Sequence, residues 1–319
     1  MTLPGTPRPF RFFADASYDE TGRPLAETAR VAEDLGYDVL VVVDHLLDIP
    51  GPIAAMATIA AATSRIGIGT FVLNNDLRHP AVLAQELAAI DIASGGRLQI
   101  GIGAGWNEPE YRAIGIPFDP ISVRQARLAE AVAVLKGCFA DEPFSFHGEH
   151  YTISDRDGGP KPIQRPHPRF LIGGGGRRTL TLAAREADIV GLAPRIGPGQ
   201  RPDPGSLSVA ATEEKIAWVR EAAGDRFAEL ELNVYPSTSP IVVTDHARKE
   251  ATDLADRLRV RTGRDVAVDE LLESPHIFIG SIDGLTEKVR GLRDRLGINS
   301  FMLGGVGQLA PIVERLAGT

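Results

Sequence analysis

Short apolar, β-branched runs alternate with amphipathic helical patterns along almost the whole chain, and this alternation constrains the fold more than any other feature. It is the signature of a parallel sheet assembled from βα units. The runs are "FRFFADA" (10–16), "VLVVVDH" (39–45), "RIGIGTFVL" (65–73), "RLQIGIGAG" (97–105), "RFLIGG" (169–174), "DIVGLA" (188–193), "LELNVYPS" (230–237) and "NSFMLGG" (299–305). The second is apolar without alternation through Val43, as expected of a strand covered on both faces. Between the runs lie helical patterns. The first extends from Pro24 to Gly36 with Leu25, Ala29, Ala32 and Leu35 on one face; the last has Leu309, Ile312, Val313 and Leu316 at i, i+3, i+4 and i+7. Eight strands and eight helices in this order predict a single α/β domain over residues 1–319, a (β/α)8 TIM barrel. Insertions are expected at its C-terminal face, at about 106–120, 140–168, 194–210 and 244–273.

Two other architectures fail on the placement of one stretch. "LIGGGGRR" (171–178) sets four glycines between an apolar run and two arginines, a pattern that suits an anion at a helix N-terminus. A dinucleotide-binding sheet carries its glycine turn after the first strand, whereas here the first strand runs into "DASYDE" and the glycines follow the fifth. Thr179 occupies the last position of G-x-G-x-x-G, and no Gly-Lys-Ser/Thr is present for a P-loop. A phosphate site on a barrel remains.

Composition narrows the task. A net charge of −8 argues against a nucleic-acid partner and for small-molecule work. No apolar stretch approaches the ~18 residues that signal a membrane span, and the start "MTLPGTPRPF" has no export pattern, so a cytoplasmic protein is expected. The lone cysteine, Cys138, reads as a buried structural thiol. Lysine occurs only at 136, 161, 215, 249 and 288, none at a strand end, which weakens Schiff-base chemistry. No histidine pair shows ligand spacing with a carboxylate, so no metal site is expected.

In a barrel the strand ends carry function. They offer Asp15 and Ser17, then Asp44-His45, then Thr70 with Asn74 beyond, then Gly103 to Trp106 with Asn107 and Glu108, and finally the four glycines. Asp44 and His45 interrupt an apolar run; His45 exchanges protons near neutral pH, and Asp44 can orient it or accept a cofactor hydrogen bond. Gly101, Gly103 and Gly105 leave one face of strand four bare, which makes room for a flat ligand or for close packing.

"VVVDH", "GTFVLNNDLRHP", "GIGAGWNEPEYRAIG", "FHGEHYTI" and "RFLIGGGGRRTLTLAAREADIVGL", in this order, resemble the bacterial luciferase-like superfamily of flavin- and F420-dependent oxidoreductases. "SPHIFIGSIDGLTEKVRGLRDRLGINSFML" resembles its C-terminal segment, so the likeness runs from about residue 10 to 317, with most similarity to the F420-dependent actinobacterial subgroup. The resemblance implies a barrel with coenzyme F420, or alternatively FMN, at its C-terminal face, and hydride transfer with a small-molecule substrate. It implies catalytic roles for His45, Asp44 and Glu108. Cofactor contacts are implied at Asp44, Thr70, Phe71, Val72, Asn74, Gly103, Trp106 and Asn107, with a bulge and a cis peptide in the Phe71-Val72 region. A phosphate grip is implied at Gly173, Gly174, Gly175, Gly176 and Arg177. A homodimer is implied too, with a flavin or F420 reductase as a possible partner if the chain is a two-component monooxygenase using reduced FMN and O2. A phosphate-binding isomerase or aldolase and a non-catalytic cofactor carrier are the readings outside redox chemistry.

Overall fold

The computed structural model describes residues 8–17, 22–197, 201–237 and 241–319, with 201–202 described by backbone alone. Eight parallel strands close on themselves: β1 (Arg11–Asp15), β2 (Val39–Val42), β3 (Gly67–Thr70, resuming at Leu73–Asn74), β4 (Leu98–Gly103), β5 (Arg169–Gly174), β6 (Ile189–Leu192), β7 (Glu231–Val234) and β8 (Ser300–Gly305). Each pairs with its neighbours in sequence, and β1 closes the ring on β8 with Arg11 opposite Ser300 and Phe12 opposite Phe301. The barrel helices are α1 (Leu25–Asp34), α2 (Pro52–Ala62), α3 (Pro80–Ser94), α4 (Ile121–Phe139), α5 (Arg177–Glu186), α6 (Val209–Ala223), α7 (Ile282–Leu296) and α8 (Ala310–Leu316). The expected (β/α)8 TIM barrel is therefore the fold. Among the described residues no helix is long and apolar enough to cross a membrane.

Alternation along each strand explains the two cores. Outward side chains such as Phe12, Leu40, Ile68, Ile100, Phe170 and Phe301 are sealed under the helices, with Cys138 of α4 buried in the same layer. Each fully buried side chain of this kind stabilises the fold by roughly 1.5–3 kcal/mol. The inward set is smaller: Phe13, Val39, Val41, Leu171 and Ile189, with Phe71, Val72 and Met302 against them. Nearer the N-terminal end, Glu231 is buried between Arg11 (2.8 Å) and Arg169 (3.1 Å). Ions and side chains thus plug the lower barrel, and open space is left to the C-terminal end.

Three of the four expected insertions follow a strand and so leave from the C-terminal face. The segment 140–168 does not. It joins α4 to β5, so its ends lie at the opposite face, and its hairpin (Phe144–His147 with Thr152–Arg156) runs along the outside of the helices. Glu130 of α4 accepts N–H bonds from Glu149, His150 and Tyr151 at 2.8–3.1 Å. Tyr151 in turn packs edge-on to His79 and receives a bond from the Asn75 amide.

The 244–273 insertion forms helices Ala247–Thr262 and Val268–Glu273 over a small core of Leu254, Leu258, Leu271, Ile277 and Ile279. It is moored by buried polar groups. The Ser274 hydroxyl donates to Leu207 O (2.6 Å) and Lys288 Nζ donates to Leu272 O (2.7 Å), while Lys215 Nζ holds the adjoining turn through Ser206 O (3.0 Å). The His276 ring, fully buried, faces Tyr235 O through Nδ1 at 3.4 Å, while its Nε2 has no partner among the described residues. Burial, with the Lys215 charge adding to it, pushes the His276 ring down to about 3. The unfolded chain takes up a proton near 6.5 that the folded chain refuses. The stabilising effect of a neutral His276 is thus whole above about 6.5 and is lost as pH falls toward 3, at up to about 1.4 kcal/mol per pH unit. Denaturant unfolding of His276→Gln between pH 7.5 and 5 is expected to show a shallower loss than the parent chain; parallel curves would refute this assignment.

Candidate functional site

The site is organised by a break in β3. After Thr70 the strand bulges through a cis Phe71–Val72 peptide and resumes at Leu73–Asn74, with Leu73 opposite Ile102 and Asn74 opposite Gly103. The glycines of β4 make this possible. A Cβ on Gly101 would sit 1.9 Å from Thr70 O, one on Gly103 would sit 2.9 Å from Val72, and one on Gly105, whose φ is +74°, would meet the Tyr111 hydroxyl at 1.9 Å. The bare face of β4 is therefore filled by the bulge and by Tyr111, so of the two readings of these glycines it is close packing that accounts for them. Thr70 is committed there too, its hydroxyl donating to Gly101 O at 2.7 Å and accepting from Gly101 N–H at 3.1 Å.

Asp44 is buried at the end of β2, but it does not orient His45. Its carboxylate accepts from Arg78 Nη1 and Nη2 (2.6 and 3.1 Å) and from the N–H of Asn74 (2.9 Å). It thereby locks the resumed part of β3, in the planar two-point geometry that suits arginine and carboxylate. Asn74 Oδ1 is likewise engaged, by the Tyr111 hydroxyl (2.9 Å) and Asp76 N–H (3.1 Å).

The carboxylate that holds His45 is Glu110. His45 Nδ1 lies 2.8 Å from Glu110 Oε1 and 3.1 Å from Oε2, with Glu110 buried and His45 partly exposed. Glu110 is carried on a short helix, Glu108–Ile114, whose next residue, Tyr111, is wholly buried with its hydroxyl between Asn74 and Asp76. Burial, together with the Asp76 charge, drives the Tyr111 hydroxyl far above its ordinary value, so it stays a donor. Glu108, expected among the catalytic residues, sits on the opposite side of that helix in an i,i+4 pair with Arg112 at 2.8 Å. Residues 108 and 110 are about 200° apart on a helix. The burial of Tyr111 is the signal that selects 110, and the sequence pattern alone gave no view of it. Trp106 stands edge-on to His45, ring centres 5.6 Å apart, and Asn107 precedes the helix without capping it through its side chain. Asp15, at the end of β1, is buried and close enough to feel the His45 charge; burial raises its carboxyl, and bonds from Ser17 partly offset this.

Three strands round the barrel, β5 ends in the glycine loop. Gly173 lies beside Gly191 on β6, Gly174 against Thr179, and a Cβ on Gly175 would strike Pro194 O at 2.5 Å. Only Gly176, the N-cap of α5, opens onto free space. It brings no capping side chain, so the first-turn N–H groups of Arg177, Arg178 and Thr179 have no intrahelical acceptor. This donor set fits a phosphate. The Arg177 side chain runs outward to Glu221 of α6 (2.8 Å), leaving its backbone N–H for an anion. Among the described residues no three His, Cys, Asp or Glu side chains gather as a metal site would require.

Comparison with known proteins gives the family and the fold. The family model described as luciferase-like monooxygenase matches residues 5–288. An FMNH(2)-dependent dimethylsulfone monooxygenase of Pseudomonas putida is 38% identical over 128 residues, 40% of this chain and 35% of that protein. An F420-dependent glucose-6-phosphate dehydrogenase of Nakamurella multipartita is 34% identical over 197 residues, 57% of this chain and 56% of that one. These two alignments thus span only about a third to a little over half of the relatives' own length. The coenzyme F420-dependent tetrahydromethanopterin reductase of Methanopyrus kandleri superposes with a TM-score of 0.75 at 19% identity over 97% of this chain and 99% of its own, which shows the shared fold.

The contact beneath the bulge is open to test. Gly101→Ala is expected to lower the unfolding free energy by at least about 2 kcal/mol, since backbone must move to admit the methyl. Gly291→Ala on α7, where nothing lies within 4 Å, should instead gain about 0.5–1 kcal/mol. Equal melting temperatures for the two variants would contradict the packing described.

Proposed function

Because the chain belongs to the luciferase-like monooxygenase family, whose members are oxidoreductases, we propose that it is an F420-dependent oxidoreductase acting on a small organic substrate. The observation that carries this reading is the His45–Glu110 pair beside the Phe71–Val72 bulge, on the same face as the uncapped glycine start of α5. Coenzyme F420, when bound, supplies hydride chemistry at C5. The backbone of Gly174 to Gly176 with the N–H groups of Arg177, Arg178 and Thr179 would hold its phosphate, and Phe71, Val72 and Trp106 would flank its ring. Glu110 fixes the His45 tautomer by accepting from Nδ1, which leaves Nε2 to take a proton from the substrate or to return one. Trp106 stands edge-on beside the imidazole. Relatives that use F420 support the cofactor assignment. A cytoplasmic setting follows from this reading.

The second reading is a two-component monooxygenase using reduced FMN and O2 with a partner reductase, and the Pseudomonas putida relative favours it. We further infer a homodimer. The exposed residues of neighbouring α2 and α3 include Ala54, Ala57, Ala61, Val82, Ala89 and Ile92 and no charged side chain. An uncharged face of this kind on adjacent helices suits a self-complementary contact.

Titration of the purified protein with F420 and with FMN is expected to give micromolar F420 affinity. Micromolar FMN binding without F420 binding, with O2 consumption when a flavin reductase is added, would favour the second reading instead. Gly176→Val should weaken binding of the phosphate-bearing cofactor about tenfold or more with an unchanged melt, since a Cβ there meets nothing within 4 Å, whereas at Gly175 it would collide with Pro194 O. Glu110→Gln should lower kcat by about 10²-fold, and Glu108→Gln by at least tenfold less; the reverse order would restore Glu108 to the reaction. Light scattering at micromolar concentration should give twice the chain mass, and Ala57→Glu with Val82→Glu should give a monomer; a monomeric parent chain would end the dimer assignment.

A further inference from the structure

Charge is divided unevenly around the mouth of the barrel. Along the arc that follows β2, β3 and β4, from residue 43 to 127, lysine is absent and every described arginine that reaches the site is committed. Arg78 is held by Asp44, Arg112 by Glu108, and Arg127 by Asp76 and Asp119. Arg124 donates to the carbonyls of Ala104, Gly105 and Asp119. The segment after β8, 306–309, carries no cation either. What this arc does expose is apolar: Leu46 is 47% exposed, Leu47 54% and Trp106 49%, on the two loops that flank His45. The exposed carboxylate next to these leucines is Asp48. The exposed cations Arg178 and Arg195 lie instead on the glycine-loop side, after β5 and β6.

On the loops after β2, β3 and β4 an anionic substrate would therefore meet no unpaired lysine or arginine among the described residues, exposed Arg23 belonging to the loop after β1, and desolvating it there would go uncompensated. A neutral apolar molecule would cover Leu46, Leu47 and Trp106 at roughly 25 cal/mol per Å² removed from water. We propose that the substrate is uncharged and largely apolar, in contrast to a phosphorylated sugar. This rests on the reading that His45 marks the substrate end of the site, and the cationic side is left to the cofactor phosphate.

A Trp218→Phe background leaves Trp106 as the sole tryptophan and lets its emission report binding at pH 7.5. Octan-2-one is expected to bind at least tenfold more tightly than octanoate, which shares its chain length but carries a charge, and than glucose 6-phosphate. Leu47→Lys should narrow the octan-2-one to octanoate ratio to about threefold or invert it. Octanoate or glucose 6-phosphate binding the parent site as tightly as octan-2-one, or no response to any of the three, would overturn the proposal. No cofactor is needed for this measurement. A failed F420 and FMN titration would sink the proposed function while leaving the preference to be read, and indifference to charge would sink the preference while leaving the cofactor assignment intact.

Discussion

The site depends on one steric allowance: β4 gives up its side chains so that β3 can leave the regular ladder. With a methyl at Gly101 the Thr70 carbonyl has nowhere to sit. Once β3 has bulged, the resumed Leu73–Asn74 segment needs new anchors, and Asp44, Arg78 and Tyr111 provide them. Tyr111 fixes the short helix that carries Glu110, and Glu110 fixes His45. The order of dependence runs from backbone packing to proton chemistry, with buried hydrogen-bonded groups at each link, where a missing partner would be costly.

Much of the fold was legible because β-branched runs and helical periodicity are local properties. All eight strands and the placing of the glycine turn after the fifth follow from them. The strand-end rule also brought Asp44, His45 and the glycine loop to one face. What the sequence could not reveal were partnerships between distant residues. Asp44 and His45 are adjacent in the chain, yet one turns to Arg78 and the other to Glu110. Glu108 and Glu110 differ only in which side of a two-turn helix they occupy. Arg177 looks like a phosphate ligand beside four glycines, but a carboxylate on the next helix captures its side chain. The 140–168 segment was assigned to the wrong face because its extended sequence says nothing of whether it follows a strand or a helix in the closed ring.

The two halves of the mouth are physically different surfaces. The β5 and β6 side is backbone-rich and short of side-chain volume, with hydrogen-bond donors facing outward from a helix start. The β2 to β4 side is built of rings and branched chains over a paired histidine. A ligand with one anionic end and one flat end is matched to such a surface along its whole length, which is why the separate features are more informative together than any one of them alone.

The mooring of the 244–273 insertion bears on how such barrels diversify. His276 contacts Tyr235 at the exit of β7, and Tyr235 packs edge-on to Phe71 in the bulge, ring centres 5.3 Å apart. Ser274 ties the same region to Leu207, in the turn whose Ser206 carbonyl Lys215 holds. The insertion is therefore not an interchangeable cassette. A transplant of it into a sister barrel would have to travel with Lys215, the 204–207 turn and Tyr235, because those are the residues through which its register is communicated to the floor of the pocket.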